Sequence, residues 1–389
     1  MKWNLRHLRV FLATVRQASV SRAAELCHLS QPAASQALAG LEAALEQPLF
    51  HHRPKGLFPT PAGEMLAARV ARALARLDAA AQPLAPGLAL RVSTAQLQAL
   101  IAVHGFGNFT LAARHLGLAQ PTVHRAVTHL EREAGRALFD RSATGIRATR
   151  AGEALAGAAR LAFAELDQAV MDLSELQGRE AGQIVVGAMP LSRSFLLGRA
   201  IIAFRETRPN ILLRIDEGPY ADLLTGLRRG EIDFLIGALR EPLPIGDVVQ
   251  TPLFPDEMIL AVGPQHPLLR RPGAPLEEMR AYPWIVARTG TPARRLLDRL
   301  FEGQPLPASL IETGSLVLMR QLMQNSNHIG FISKLQAAAE IELGLMVPLS
   351  GELPGTQRSI GITVRRDWFP TKSQQALLSE IRGAVRNEA

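Results

Sequence analysis

Two groups of side chains stand at spacings that could do chemistry, and in both the chemistry is recognition. In the first, Gln31, Ser35 and Gln36 lie on one side of a stretch whose other side carries Ala34, Leu38, Leu41 and Leu45 at steps of three and four. Glutamine pairs with an adenine edge and serine with any base edge, so such a face suits the DNA major groove. Arg53 and Lys55 follow in an Arg-Pro-Lys-Gly turn, placed for phosphate contacts. The second group lies downstream: Ser192, Arg193 and Ser194, then Tyr220, then Thr289, Thr291 and Arg294, then Ser315. Its Ser/Thr stretches open predicted helices, whose free N–H groups attract anions. These residues are expected to hold a small polar or anionic ligand. The competing role is helix capping for each hydroxyl, and core packing for Tyr220.

Nothing points to catalysis. The chain has no P-loop, paired-glycine fingerprint, nucleophile elbow or metal-spaced histidine motif, so no catalytic residue, metal or cofactor is expected. Cys27, the single cysteine, excludes a disulfide framework and cysteine-rich zinc sites, and reads as core packing. No run of about 18 apolar residues is free of charge or proline, so no membrane partner is expected. The opening residues, with Lys2, Arg6 and Arg9, lack the apolar centre of a signal peptide. The expected location is the cytoplasm, which counts against a secreted solute-binding protein.

The elements that position the first group occur twice. Shifted by 89 residues, the stretch from about residue 6 to residue 67 matches itself without a gap. Ala23-Ala24 pairs with Ala112-Ala113, Gln31-Pro32 with Gln120-Pro121, and Leu41-Glu42 with Leu130-Glu131. Leu49-Phe50 pairs with Leu138-Phe139, and Thr60-x-Ala62-Gly63-Glu64 with Thr149-x-Ala151-Gly152-Glu153. Each copy reads as three helices and a β-hairpin wing. Leu8, Phe11, Leu12 and Val15 stripe the first helix, and Ser19 or Ser21 caps the second. His28 falls at a tight turn where copy two has Gly117. Ser30 is placed to cap the third helix, with Pro32 in its first turn. In copy two Val123, Val127, Leu130 and Ala134 face inward, and Gln120, His124, Arg125 and Thr128 face outward. This is the pattern of a helix-turn-helix whose second helix enters the major groove.

Charge agrees with a polyanion partner at the front. The net charge is +8, and residues 1–90 hold ten Lys/Arg against five Asp/Glu.

Ala23-Ala24, Ser30-Gln31-Pro32-Ala33-x-Ser35, Leu41-Glu42, Leu49-Phe50 and Thr60-x-Ala62-Gly63 resemble the amino-terminal signature of LysR-type transcriptional regulators. Copy two departs from it at Ala119-Gln120-Pro121-Thr122 and is closer at Leu138-Phe139-Asp140-Arg141, where copy one has His52. The resemblance implies a double-stranded DNA operator, a small-molecule effector, a homo-oligomer of two or four chains, and RNA polymerase as a further partner of an activator. It also implies a linker helix that pairs subunits; packing on its own winged unit is the alternative. The family normally carries one winged domain, so the tandem is a departure. One copy could instead serve protein interaction.

From Gly182 short apolar runs alternate with helical segments, the mark of an α/β fold. Strands are predicted at 184–187, 213–216, 234–239, 258–262, 284–286, 310–313, 329–332, 346–349 and 360–364, and helices at 196–206, 222–229, 293–301, 316–324 and 374–385. The half resembles the two-lobed, periplasmic-binding-protein-like effector domain of LysR-type regulators, with lobe crossings near Glu257 and Ser359. Pro190 to Leu197, Glu217-Gly218-Pro219-Tyr220 and Tyr282-Pro283-Trp284 resemble its branch regulating sugar-binding-protein genes and aromatic-acid catabolism. The expected class is therefore multidomain α and α/β. Residues 1–61 and 93–149 form winged helix-turn-helix domains, 62–92 and 150–181 linker helices, and 182–389 the effector domain.

Overall fold

The computed structural model describes residues 3–54, 56–142, 145–190, 196–243, 245–349 and 353–386. Lys55, Ser192, Arg193 and Ser194 lie outside the described residues, as does the side chain of Arg141. The chain divides into two compact units, residues 1–182 and 183–389.

In the first unit, α1 (Leu5–Gln17) starts at Asn4, whose side chain accepts from the N–H groups of Arg6 and His7. Then come α2 (Val20–Leu26), capped by Ser19, α3 (Gln31–Leu45), and a hairpin of β1 (Phe50–Arg53) and β2 (Gly56–Pro59). Helix α4 (Pro61–Ala81) ends before Pro83, and α5 (Leu88–Arg91) lies in the connector. The second copy follows as α6 (Thr94–Phe106), α7 (Phe109–Leu116), α8 (Gln120–Ala134), the hairpin β3 (Phe139–Ser142) and β4 (Gly145–Ala148), and α9 (Arg150–Leu176). His28 and Gly117 both turn the chain in the left-handed region, at φ 53° and 64°.

One local expectation needs correction. Ser30 occupies the cap position of α3, yet its side chain makes no capping bond, and copy two has Ala119 there. The start of each helix rests instead on Pro32 or Pro121, whose fixed φ suits the first turn and whose missing N–H needs no partner.

The shared signature has a mechanical basis. Glu42 accepts from the N–H groups of Leu49 and Phe50, and Glu131 from those of Leu138 and Phe139, tying each third helix to its wing. Thr60 and Thr149 cap the linker helices by accepting from Gly63 and Gly152, and donate to the carbonyls of Pro48 and Ala137. A Cβ on Gly63 would stand 2.2 Å from the Leu49 carbonyl oxygen, and one on Gly152 2.1 Å from that of Leu138. Only glycine admits so close an approach.

Helices α4 and α9 pack along one another within the chain, so the two linker helices are partners in one polypeptide. Arg69 Nε donates to Asp172 at 2.9 Å, and its Nη1 to Glu165 at 2.8 Å and Gln168 at 3.1 Å. Arg72 Nε donates to Glu165 at 3.0 Å. The pairing is antiparallel: from Arg69 to Arg72 the partner moves back from Asp172 to Glu165. Near the start of α4, Gln47 donates to the Leu173 carbonyl close to the end of α9. Leu66, Val70, Leu74 and Leu77 share one continuous apolar core with Leu155, Ala159, Leu166 and Leu173.

The second unit holds two five-stranded sheets. One has the order β6 (Leu212–Glu217), β5 (Gln183–Ala188), β7 (Phe234–Ala238), β14 (Arg358–Arg365), β8 (Val248–Asp256). The other has β11 (Leu310–Glu312), β10 (Trp284–Val286), β12 (Ile329–Ser333), β9 (Met258–Val262), β13 (Val347–Pro348). Parallel pairs β5·β6, β5·β7, β10·β11 and β10·β12 are crossed over by helices that cover the sheets. The crossovers are α10 (Leu196–Thr207), α11 (Tyr220–Arg229), α13 (Pro292–Leu300) and α14 (Leu316–Asn325); α12 (Leu276–Met279), α15 (Lys334–Glu342) and α16 (Lys372–Arg386) are further helices of this unit. The chain passes between sheets at Glu257 and returns between β13 and β14. This is the expected two-lobed architecture. β8, α12 and α15 are additions to the elements expected from sequence.

Candidate functional site

On α3, Ala34, Ala37, Leu38, Leu41 and Leu45 are buried, which leaves Gln31, Pro32, Ser35 and Gln36 exposed along one face. Arg53 is exposed at the end of β1, its guanidinium 5.8 Å from the Phe58 ring across the hairpin. On α8, Gln120, Pro121, Arg125 and Thr128 are exposed over buried Val123, Val127 and Leu130. His124 is less free: it is half-buried, with its ring 5.0 Å from that of Phe109. Arg125 bends back along its helix, Nε 3.4 Å from the Pro121 carbonyl oxygen. Arg141 lies on β3, its backbone paired with Ile146.

In the second unit the predicted hydroxyls sit at helix starts and are engaged there. Thr291 accepts from the Arg294 N–H and donates to the Arg288 carbonyl; Ser315 accepts from the Leu318 N–H. Thr289 donates to Glu312 at 2.9 Å. The Arg294 guanidinium is bonded to Asp298 at 2.8 Å and also to Glu312, so two carboxylates already neutralise it. Arg295, one position further around α13, is exposed and forms no ion pair among the described residues.

Tyr220 has neighbours that sequence reasoning missed. The Arg240 guanidinium stacks 4.3 Å from the Tyr220 ring centroid. Tyr220 Oη, Gln250 Nε2 and Arg240 Nη1 are all buried, and none makes a hydrogen bond of good geometry. Buried polar atoms without partners are uncommon and costly. Burial raises the Tyr220 phenol above its ordinary value, against the pull of Arg240 and Gln250. Burial likewise lowers the Arg240 guanidinium; Tyr220 acts against this, while the like charges of Arg295 and Arg358 add to it. A cavity of about 260 Å3 is walled by Leu239, Glu241, Pro292, Arg295, Arg299 and Arg358 among others, from both lobes; Arg240 falls between two of its wall residues in the chain. Arg358 is paired with buried Asp256 at 2.8 Å, but Arg240, Arg295 and Arg299 have no carboxylate partner among the described residues. The place is short of negative charge. The sequence signal was a charged residue one position beyond Leu239, which follows the fully apolar strand β7.

Residues 177–386 match the LysR substrate binding domain, and residues 5–64 and 94–153 each match the bacterial regulatory helix-turn-helix protein of the lysR family. The chain belongs to the LysR family of transcriptional regulators. It is 35% identical to the HTH-type transcriptional regulator GalR of Pseudomonas putida, over 99% of this chain and 98% of that one. The HTH-type transcriptional regulator PcaQ of Agrobacterium fabrum is 27% identical, and 96% of its length covers 76% of this chain. The crystal structure of ArgP from Mycobacterium tuberculosis has the same fold, with a TM-score of 0.57 at 18% identity over 75% of this chain and 96% of its own. PcaQ and ArgP thus leave about a quarter of this chain unmatched, while GalR matches it end to end. This LysR-family protein is a DNA-binding transcriptional regulator with an effector-binding domain, and its family is not one of enzymes. Its family binds operators and small-molecule effectors and forms oligomers. No helix among the described residues is long and apolar enough to cross a membrane.

Proposed function

We propose that this LysR-family regulator acts in the cytoplasm and answers to a small anionic metabolite, a carboxylate by chemical class, bound between the effector lobes. Residues 1–61 and 93–149 are its DNA-reading heads, 62–92 and 150–181 its linker helices, and 182–389 its sensor. Gln31, Pro32, Ser35 and Gln36 lie against base edges, with Arg53 and Lys55 on phosphate. Gln120, Pro121, His124, Arg125 and Arg141 form the corresponding face of copy two. The ligand lies among Ser192, Arg193, Ser194, Tyr220, Thr289, Thr291 and Ser315. Arg240 and Arg295 supply the positive charge that Arg294 spends on Asp298 and Glu312. One observation carries this reading: Tyr220, Arg240 and Gln250 present three unsatisfied buried polar atoms beside guanidiniums without carboxylate partners. An anion between Arg240 and Arg295 supplies the negative charge the place lacks. It shifts the regulator only by its differential affinity for two arrangements of the protein, so footprint or bending changes more than bare affinity.

Calorimetric titration of the full chain with sugar acids, aromatic acids and neutral sugars tests this. An acid should bind and a neutral sugar should not. Arg240→Ala should abolish binding and leave effector-free operator affinity unchanged. Binding of neutral sugars alone, or full acid binding by the Arg240→Ala protein, would reject the anion site.

A further inference from the structure

The pairing of α4 with α9 is chemically one-sided. Arg69 is 1% exposed and Glu165 6%, so this ion pair is set inside the helix contact. The 89-residue register shows what each partner would meet in pairing with its own kind. In an α4·α4 pair the place of Glu165 is taken by Arg76, that of Gln168 by Ala79 and that of Asp172 by Pro83. Arg69 and Arg72 would then face a third guanidinium in the helix contact, with no carboxylate. In an α9·α9 pair the places of Arg69 and Arg72 are taken by Ala158 and Leu161, leaving Glu165 and Asp172 buried without a base. A buried charge without its partner is strongly destabilising, and one polar contact of this kind fixes which helices associate. Only the pair of unlike copies sets Arg69 and Arg72 against Glu165 and Asp172.

Each winged copy docks on its own linker helix through equivalent bonds, Glu42 like Glu131 and Thr60 like Thr149. Equivalent heads on two antiparallel equivalent helices are related by a local approximate two-fold axis. The heads themselves differ. Gln31, Ser35 and Gln36 stand on α3 where α8 presents Gln120, His124 and Arg125.

From this we infer that a single chain is a complete two-headed DNA reader, locked by the Arg69–Glu165–Asp172 network. Its operator holds, for each chain, two half-sites in opposite orientation that differ in sequence. The half-site under α3 carries an adenine read by glutamine, and the half-site under α8 a guanine read by Arg125. The inference rests on the DNA-reading faces assigned above and adds the partner's form.

Two measurements on the full-length protein test it. In a Cys27→Ser background, Glu46→Cys and Arg179→Cys place thiols where an exposed ion pair of 3.5 Å joins the end of α3 to the residues after α9. After a short bismaleimide is added, peptides joined through the two cysteines should come from a band of single-chain mass. Joined peptides found only at doubled mass, or in neither band, overturn the pairing within one chain. For DNA, operators selected from genomic fragments are rebuilt as two copies of the left half or two of the right. Each rebuilt duplex should bind at least about tenfold more weakly than the native one, the loss of one or two base preferences. Gln36→Ala should relax base preference in one half and Arg125→Ala in the other. Equal binding of the rebuilt duplexes, both substitutions mapping to one half, or a silent Arg125→Ala overturns the inference while leaving DNA reading by α3 intact. Absence of any sequence preference in the unsubstituted protein would instead remove the reading on which it rests.

Discussion

The Glu42 carboxylate accepts from the backbone N–H of Leu49 at 2.7 Å and of Phe50 at 3.3 Å. It thereby holds the wing at a fixed angle to the recognition helix, and Glu131 repeats the arrangement at 2.8 and 3.1 Å. Glu42→Ala leaves both donors partly buried without a partner. Its expected cost is about 2–3 kcal/mol, seen as a lower urea midpoint. Glu42→Gln, which keeps an accepting oxygen, should cost less. An unchanged midpoint for the alanine variant would contradict the role.

Two glycines in linker helices should respond in opposite directions. Gly63→Ala brings a Cβ to 2.2 Å from a backbone carbonyl oxygen that cannot move without the wing, and should destabilise. Gly157→Ala in α9 meets nothing within 4 Å and should stabilise by about 0.5–1 kcal/mol, since alanine is the better helix former. Thermal melts of the two variants decide the matter.

Arg69→Ala strands Glu165, Gln168 and Asp172 inside a helix contact. Removing one member of a buried ion network costs about 3–5 kcal/mol, so the first unit should lose most of its cooperativity. Burial already pushes the Asp172 carboxyl up, against the pull of Arg69, so losing Arg69 raises it further. Circular dichroism during urea titration, at neutral pH and near pH 5, should show part of the loss recovered at the lower pH.

His266 sets a pH limit for the effector domain. Its Nδ1 accepts from the Leu268 N–H at 3.1 Å, and Nε2 lies 3.2 Å from the Asn327 carbonyl oxygen, so the neutral ring satisfies both contacts. Burial lowers its affinity for a proton below the ordinary imidazole value of 6.5. The unfolded chain therefore binds the proton more readily. Stability is complete above about pH 6.5 and declines as pH falls toward the lower folded value. His266→Asn keeps a cap acceptor for Leu268 and should flatten this decline in urea midpoints between pH 7 and pH 5.

On DNA, Gln36→Ala should change which bases are preferred, by about 1–3 kcal/mol at one position. Arg53→Ala should weaken all duplexes alike and reduce the salt slope by about one ion. Fluorescence anisotropy at several salt concentrations separates the two. A uniform loss for Gln36→Ala would move it off the base-reading face.

The inward and outward faces of the helices and the α/β class of the second half were legible because they rest on local period; the two lobes came from the family resemblance. Leu38 and Leu41 point inward and Gln36 outward by helix geometry alone. What was not legible depends on residues far apart in sequence. Arg294 and Arg295 are neighbours in a helix start; Asp298 marks Arg294 by its i,i+4 spacing, but the second carboxylate, Glu312, stands eighteen residues on. Strand β8 carries Pro252 and Pro255, which argue against a strand in sequence; at a sheet edge they are tolerated. Helix α15 was hidden because Ser333, its cap, is also the last residue of β12. The Arg69–Glu165 contact spans 96 residues and leaves no periodic trace.

Because α4 and α9 meet inside one polypeptide, their encounter is unimolecular. A short connector keeps each head at a high effective concentration near the other, and diluting the protein does not separate them. Regulators assembled from separate subunits lose paired heads at low copy number, and their promoter occupancy falls more steeply than their abundance. Here the paired fraction is independent of dosage. A cell holding very few chains keeps every one of them with its two heads already joined.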